Sequence, residues 1–494
     1  MGLSMIEDQC VSDERSLEAA CGVDDPAAKQ SRLDGLMSTD RFWLSIVTAY
    51  FLLHVVLRVA TGGALGLDEA EILLDARRLE WGYGPQLPLY AWLQWGIFQI
   101  TGPGILGLSL LKNGMLLATV VTLYLTIRTR HAPLWAGLSV LSLLMLYQFS
   151  WEAQRALTHT VLANLCSVLT FAVIWGLIRK PTTWGFVLLG VVVAMGSLSK
   201  YNYAIALLAM LLAAFSASET RKPLWSPRLL LSLGVAALLV TPPMLWVLNN
   251  PEHAFASARK LDMSSDGPTT LIALQGLVEL ALASAGFVSL LLIVLGVLWL
   301  VYLRQGVAAK GDDLRRLMTR TLVWALLLMA AVVLVSGSTN VKDRWLQPIL
   351  IYAGPVLCLW LLPSAGRKGV RRFAQVSAVL AVFIGLAMLH HNLAGDAKRA
   401  APFATLTSEI IAQTAPENAI VADNWISGNM AYFAPDHPVY SDRDPRAPNA
   451  ALRVWESARN VPKDVDPAQV KTLVAPYRFD NNEEMTLSFG PVSQ

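Results

Sequence analysis

The chain has 494 residues, 54% of them hydrophobic and 15% charged, with a net charge of +3 and a mean hydropathy of +0.48. Soluble globular proteins carry roughly 25% charged residues, so a deficit sustained over this length excludes a large soluble core and indicates a membrane protein. The small net charge gives no basis for nucleic-acid binding.

The first forty residues contain no apolar core and carry acids throughout, among them Glu7, Asp8, Asp13, Glu14, Asp24 and Asp25. That composition excludes a cleavable signal peptide and predicts a disordered cytoplasmic tail over 1–41. Cys10 and Cys21 fall in this tail, while Cys166 and Cys358 fall in apolar segments. No disulfide framework is indicated for the polar C-terminal region.

A membrane-spanning helix needs about 20 apolar residues. Eleven stretches qualify, at about 42–61, 104–127, 133–150, 159–178, 184–200, 201–217, 229–248, 281–303, 321–337, 345–363 and 373–390. The stretch 88–101 is too short and reads as a re-entrant or interfacial piece, with Tyr90, Trp92, Trp95 and Phe98 suited to the headgroup zone. With the N-terminus inside, the cytoplasmic loops hold about twice as many Lys and Arg as the outer ones. Arg128, Arg130, Arg179, Lys180, Arg221 and Lys222 belong to the first group; Arg77, Arg78, Arg155, Arg259 and Lys260 belong to the second. This bias predicts a membrane domain over 42–390 and places residues 391–494 outside. That last segment is polar and rich in turn signals such as Pro435-Asp436 and Asp444-Pro445. Strand-like runs at Ala419–Ala422 and Lys471–Val474 predict a small α/β domain. No internal repeat is evident.

Charged groups at membrane depth usually mark function, which directs attention to the first outer loop. Asp68, Glu71, Asp75 and Arg78 are spaced three or four apart, with Ile72, Leu73, Ala76 and Leu79 on the opposite face. The pattern predicts an amphipathic interfacial helix. Asp68 at the N-cap with Glu71 at N3 matches a capping box, which needs no catalysis. A helix start also fixes a carboxylate rigidly, so capping and chemistry are compatible.

Arg155, Lys200, Lys342 and Arg344 each fall at the outer end of a span, and Lys200 interrupts an otherwise apolar run. Fixed cations aimed at a developing phosphate charge can supply a large catalytic effect; the plain alternative is snorkelling to the headgroups. Asp343 is placed to pair with Lys342 or Arg344, and Glu152 with Arg155 at i, i+3. Lys112, inside the second span, is expected to snorkel or pair. His54, Asp68 and His159 are candidates for a divalent metal, although no ligand spacing demands one. His390-His391 reads as interfacial.

Asp68-Glu69 after the first span, then Trp81-Gly82-Tyr83-Gly84-Pro85-Gln86-Leu87-Pro88-Leu89, resembles the first outer loop of family 39 glycosyltransferases. These are polytopic GT-C enzymes that use polyprenyl-phosphate sugars, and they include protein O-mannosyltransferases and the aminoarabinose transferase of lipid A. Arg155-Ala156-Leu157-Thr158, Leu198-Ser199-Lys200-Tyr201 and Lys342-Asp343-Arg344-Trp345 extend the resemblance over about 40–365, and the last stretch is similar to galacturonosyltransferases of lipopolysaccharide. Two places depart from it. Gln86-Leu87-Pro88 stands where the aminoarabinose transferases have Lys-Pro-Pro, and His159 stands where relatives commonly place an Asp.

The resemblance implies an inner-membrane enzyme with a periplasmic active site and C-terminal domain. It would transfer a sugar from a polyprenyl phosphate to lipid A, lipopolysaccharide core or another glycan, inverting the anomeric centre. Asp68 would be the general base and Glu69 would orient the acceptor or the loop. Lys200, Arg155, Arg344 and Lys342 would hold the donor phosphate, and Glu71, Tyr83, Gln86, Tyr201 and His159 would line the cavity. No cofactor is required on this reading, and a divalent metal stays open. Polar residues gather on the outer face only, which disfavours the rival reading of a transporter or flippase for lipid-linked sugars. Two more rivals are a protein O-glycosyltransferase and a non-catalytic glycan-assembly subunit.

Overall fold

The computed structural model describes residues 35–254, 270–302, 311–394, 397–448, 451–457, 459 and 461–492. Most of the expected tail, including Cys10 and Cys21, lies outside the described residues, as do the loop cations Arg259 and Lys260. The chain is a multi-pass membrane protein. Helices α1 (Asp40–Thr61), α2 (Leu67–Asp75), α3 (Leu89–Thr101) and α4 (Ile105–Arg128) come first. They are followed by α5 (Pro133–Leu141), α6 (His159–Arg179), α7 (Thr183–Ser197), α8 (Tyr203–Phe215) and α9 (Leu229–Asn249). Then come α10 (Thr270–Tyr302), α11 (Asp313–Ser336), α12 (Asp343–Leu350), α13 (Ala353–Leu361) and α14 (Gly366–Leu393).

Seven helical segments among the described residues are long and apolar enough to cross a bilayer, nine if two bent pairs each count as a span. The eleven expected stretches are thus partly broken. Helix α7 has 15 residues and α8 has 13. The 345–363 stretch divides into α12 and α13, with Pro348 inside α12 and Pro363 and Gly366 at its end; proline removes a helix donor and breaks regular helix. The 133–150 stretch bends by 80° where a 3₁₀ turn and a π turn (Gln148–Glu152) follow α5. Leu238, Leu248, Leu282, Ile293, Val379 and Phe383 are exposed on the outside of the bundle, where lipid rather than water surrounds them.

The ends of α1 mark the two faces. At one end Asp40 pairs with Arg128 of α4; at the other, the Thr61 carbonyl accepts from Arg478 of the C-terminal region. Twenty-two residues span about 33 Å of helix, enough for the hydrocarbon core. Helix α3, 13 residues long, is too short to cross, as expected.

The C-terminal region contains α15 (Phe403–Ala412), α16 (Asn424–Phe433) and a five-stranded sheet in the order β2-β1-β3-β5-β4. Strand β1 (Ile420–Ala422) pairs in parallel with β2 (Val439–Ser441) and β3 (Leu452–Glu456). Strands β3 and β4 (Lys471–Tyr477) flank β5 (Asp480–Pro491) in antiparallel register. The parallel β1-α16-β2 unit requires a crossover helix, and α16 is that helix. Its other face lies on α2: a Cβ at Gly428 would sit 2.4 Å from the Ala70 carbonyl oxygen. The sheet domain is therefore seated on the first outer loop.

Candidate active site

Helix α2 begins at Leu67, one residue before the expected Asp68 cap. Gly66 is the N-cap and Glu69 is N3; its Oε2 accepts from the Gly66 N–H at 2.9 Å. The capping acid is consequently Glu69, and neither Asp68 nor Glu71 has that duty. Ile72, Leu73 and Ala76 are buried, whereas Leu79 lies beyond the helix end and is exposed, so the expected apolar face is one residue shorter.

Glu69 is 5% exposed and binds two guanidinium groups. Arg58 Nη2 donates to Oε2 at 2.9 Å and Arg399 Nη2 to Oε1 at 2.7 Å. Charge-assisted bonds of this kind are short and strong; together they hold the Glu69 carboxyl well below the ordinary range despite burial, which opposes them. Arg399 also donates to Asn392 Oδ1 and to the Arg155 carbonyl, joining four segments at one point. The loop before α2 is fastened as tightly. Gly63 has φ +79°, its ideal Cβ would lie 2.3 Å from the Arg399 carbonyl oxygen, and that oxygen accepts from Ala64 N–H at 2.9 Å. Asn429 of α16 grips both backbone groups of Leu65, and Trp425 Nε1 donates to the same carbonyl.

Asp68 is what this scaffold presents. It is half-buried, and among the described residues its carboxylate takes no hydrogen bond and no ion pair within 4 Å. It opens into a cavity of about 800 Å³. The cavity is walled by α2, the π turn and Arg155, the stretch Asn340–Arg344, the end of α14 and Ala397–Arg399. Burial pushes the Asp68 carboxyl above its ordinary pKa; Lys112, Lys200 and Arg344 pull it down, and Glu69 pushes it up.

The expected phosphate-binding cations gather around this carboxylate. Arg155, Lys342 and Arg344 line the cavity. Arg155 pairs with Glu152 at 2.7 Å, the i, i+3 bridge expected from spacing. Lys200 is half-buried beside Asp68 and Arg344 and donates to Thr160 Oγ1, so it does not snorkel to the surface. Asn202 Nδ2 donates to the Trp345 carbonyl, tying the Lys200 turn to the Lys342–Arg344 segment. Lys112 is 4% exposed inside the bundle, close to Asp68 and Glu69, with its Nζ near the Gln154 carbonyl; the snorkelling alternative does not hold for it.

Other expected positions fall elsewhere. Glu71 and Tyr83 line a separate cavity, Gln86 bridges Tyr83 in a tight backbone turn, and Tyr201 is exposed. His159 is buried against the Tyr90 ring. His54 lies beside a water-sized void with Arg58, Glu69 and Lys112. Among the described residues no three His, Cys, Asp or Glu side chains gather as a metal site, so His54, Asp68 and His159 do not converge.

Arg58, Asn392, Lys398 and Arg399, which are not among the expected site residues, all hold or line the site. Arg58 carries a readable signal, a charge inside an apolar span. Lys398-Arg399 lies just past the last span in a stretch with no local pattern; only the tertiary fold returns it to α2.

A multi-pass helical bundle, a short carboxylate-bearing interfacial helix after the first span and a cationic cavity at one membrane face define the GT-C class of membrane glycosyltransferases. The crystal structure of ArnT from Cupriavidus metallidurans bound to undecaprenyl phosphate has this fold, with a TM-score of 0.64 at 12% identity over 91% of this chain and 98% of that one. A family model described as dolichyl-phosphate-mannose-protein mannosyltransferase matches residues 84–246. The lipopolysaccharide core galacturonosyltransferase RgtB of Rhizobium johnstonii is 32% identical over 81% of this chain and 83% of its own length. RgtA, of the same description and organism, is 31% identical over 88% and 89%. The lipid A galacturonosyltransferase RgtD of that organism is 24% identical over 78% and 80%. The chain belongs to the GT-C glycosyltransferases of the lipopolysaccharide galacturonosyltransferase type.

Proposed function

We propose that the protein transfers a hexuronic acid from a polyprenyl-phosphate carrier to a sugar hydroxyl of lipopolysaccharide core or lipid A, at the periplasmic face of the inner membrane. The observation that carries this reading is Asp68: an unbonded carboxylate, fixed by a clamped helix start, at the edge of a cavity bordered by Arg155, Lys342, Arg344, Lys398 and Arg399. Asp68 takes the proton of the acceptor hydroxyl. The freed oxygen attacks the anomeric carbon as the bond to the phosphate oxygen breaks on the opposite side, inverting the centre. The negative charge that develops on the departing lipid phosphate is met by Lys200, Arg344 and Lys342. Positioned cations in a partly dehydrated site stabilise such charge far better than water does. Glu69, wholly engaged by Arg58 and Arg399, positions Asp68 and does not touch substrate.

The acceptor class follows the relatives above 30% identity, both named for lipopolysaccharide core. The uronic sugar suits the charge: five cations line the cavity against Asp68, Glu152 and Asp343.

The test is Asp68→Asn in purified protein supplied with polyprenyl-phosphate galacturonate and lipopolysaccharide. A general base contributes about 10²–10⁴-fold, so kcat is expected to fall by at least about a hundredfold while donor binding persists. Transfer at near wild-type rate by the Asn variant would overturn the mechanism. A preference for the neutral hexose donor would overturn the uronic assignment alone. Lipid translocation without transfer would favour a flippase.

A further inference from the structure

At the other end of α2 lies a second cavity of about 540 Å³, between the first outer loop, the end of α9 and the C-terminal domain. None of the residues around Asp68 lines it. Its wall mixes acceptors and donors: Glu71 and Asp75 from α2, Arg78 just beyond, Tyr83 from the loop, Tyr440 from β2 and Arg443 after it. Among the described residues the Asp75 carboxylate and the Arg78 and Arg443 guanidinium groups make no hydrogen bond or ion pair, although Asp75 and Arg78 are only three residues apart. Polar groups that border a cavity and remain unpaired are available to a ligand.

The charges around this cavity nearly cancel, since the Arg side chains are offset by Glu80, Asp436 and Asp444 in addition to the α2 acids. Such a wall has no general attraction for phosphate, unlike the cavity at Asp68. It matches a polyol, whose hydroxyls donate to carboxylates and accept from guanidinium groups, with tyrosine rings to cover its apolar faces. Asp68 and Asp75 are seven residues apart, two helical turns along one face and about 10 Å of rise, within the reach of a short oligosaccharide.

We propose that this second cavity is a non-reacting saccharide subsite. It holds an inner, polyhydroxylated sugar of the acceptor while the hydroxyl to be glycosylated reaches Asp68. The proposal rests on the glycan-acceptor reading above and extends it to a place and to named residues: Asp75 accepts from the sugar hydroxyls, and Arg78 and Arg443 donate to them.

The experiment uses the full chain in nanodiscs and, as probe, core oligosaccharide released from lipopolysaccharide by mild acid and free of lipid. Asp75→Asn and Arg443→Gln are each expected to weaken oligosaccharide binding tenfold or more in calorimetry. In transfer assays they should raise KM for the acceptor by the same factor, with less than a twofold change in kcat and in KM for the lipid-phosphate donor. Asp68→Asn should bind the oligosaccharide as wild type does and fail to transfer. Wild-type protein that does not bind the probe, or binding unchanged in both subsite variants, overturns the subsite and leaves the role of Asp68 standing. Transfer retained by Asp68→Asn overturns the base and leaves the subsite standing. Arg443 is exposed, so its loss should not disturb folding, and a melting curve on each variant separates misfolding from lost contact.

Discussion

Asp68 and Glu69 are neighbours with opposite electrostatic fates, and the difference separates the proposed base from the acid that positions it. Glu69 is surrounded by Arg58 and Arg399 and stays ionised far into acid; removing one partner from a buried ion pair typically costs 3–5 kcal/mol. Glu69→Ala, which strands two buried guanidinium groups, should therefore lower stability by about 3–5 kcal/mol, measured as a fall in melting temperature in detergent. A shift of a degree or less would show that the clamp is not structural. Asp68 has no such partner, and burial raises its pKa. The base role proposed for Asp68 needs the deprotonated form, so activity should fall as pH drops through a midpoint above the ordinary aspartate value of about 3.9. Lys200 lowers that midpoint; Lys200→Met should move the acid limb to higher pH, whatever it does to kcat. An unmoved limb would mean that the two groups are not coupled. Asp75 gives the opposite stability sign from Glu69. Burial, reinforced by Glu71, Glu80 and Asp444, raises its carboxyl well above the ordinary range. Its ionised form thus costs stability once the pH exceeds the unfolded value. Asp75→Asn should accordingly melt higher than wild type at pH 7 and equal it below about pH 4. A lower melting temperature at pH 7 would contradict this sign.

At the scale of elements, α2 holds the site because it is short and held from both sides. Its N-terminus is fastened by the loop bonds to Arg399, Asn429 and Trp425, and its body by α16. Around α2, Gly63 and Gly428 are positions where backbone approaches too closely for any side chain. A Gly428→Ala substitution should push α16 off Ala70, and both melting temperature and kcat should fall together. Wild-type activity in that variant would mean that the domain does not need this seating. Much of α2 was legible in the sequence, because its apolar positions recur at helical spacing and its acids stand out beside a span. The cap lies two residues before the expected one: Gly66 offers no side chain to signal an N-cap, and Asp68 and Glu71 imitate the usual pattern. The bent and broken spans were harder to read, since 345–363 and 133–150 each reach spanning length as a whole, and average hydropathy does not register the breaks at Pro348 and Gln148. Arg399 was invisible for a different reason. Its partner Glu69 lies 330 positions earlier, and no periodicity reports a contact of that range.

The whole molecule separates two faces. Asp40 and Arg128 meet at one end of α1, while α2, both polar cavities and the sheet domain occupy the other. The excess of Lys and Arg in alternate loops predicts that the Arg128 end lies in the cytoplasm, and the proposed chemistry requires the opposite end to face the compartment that holds the acceptor. Cysteine labelling can decide this orientation, because Cys166 and Cys358 are buried and Cys10 and Cys21 can be replaced by serine. A single cysteine at exposed Glu483 in β5 should react with a membrane-impermeant maleimide added to intact spheroplasts. One at exposed Ser218, in the short helix Ser218–Leu224 between α8 and α9, should react only after the membrane is permeabilised. The reverse pattern would put the site in the cytoplasm, where Asp68 would have to meet its acceptor before export. Equal labelling at both positions would place them on one side of the membrane, with an even number of spans between them, and the topology drawn from the charge bias would have to be abandoned.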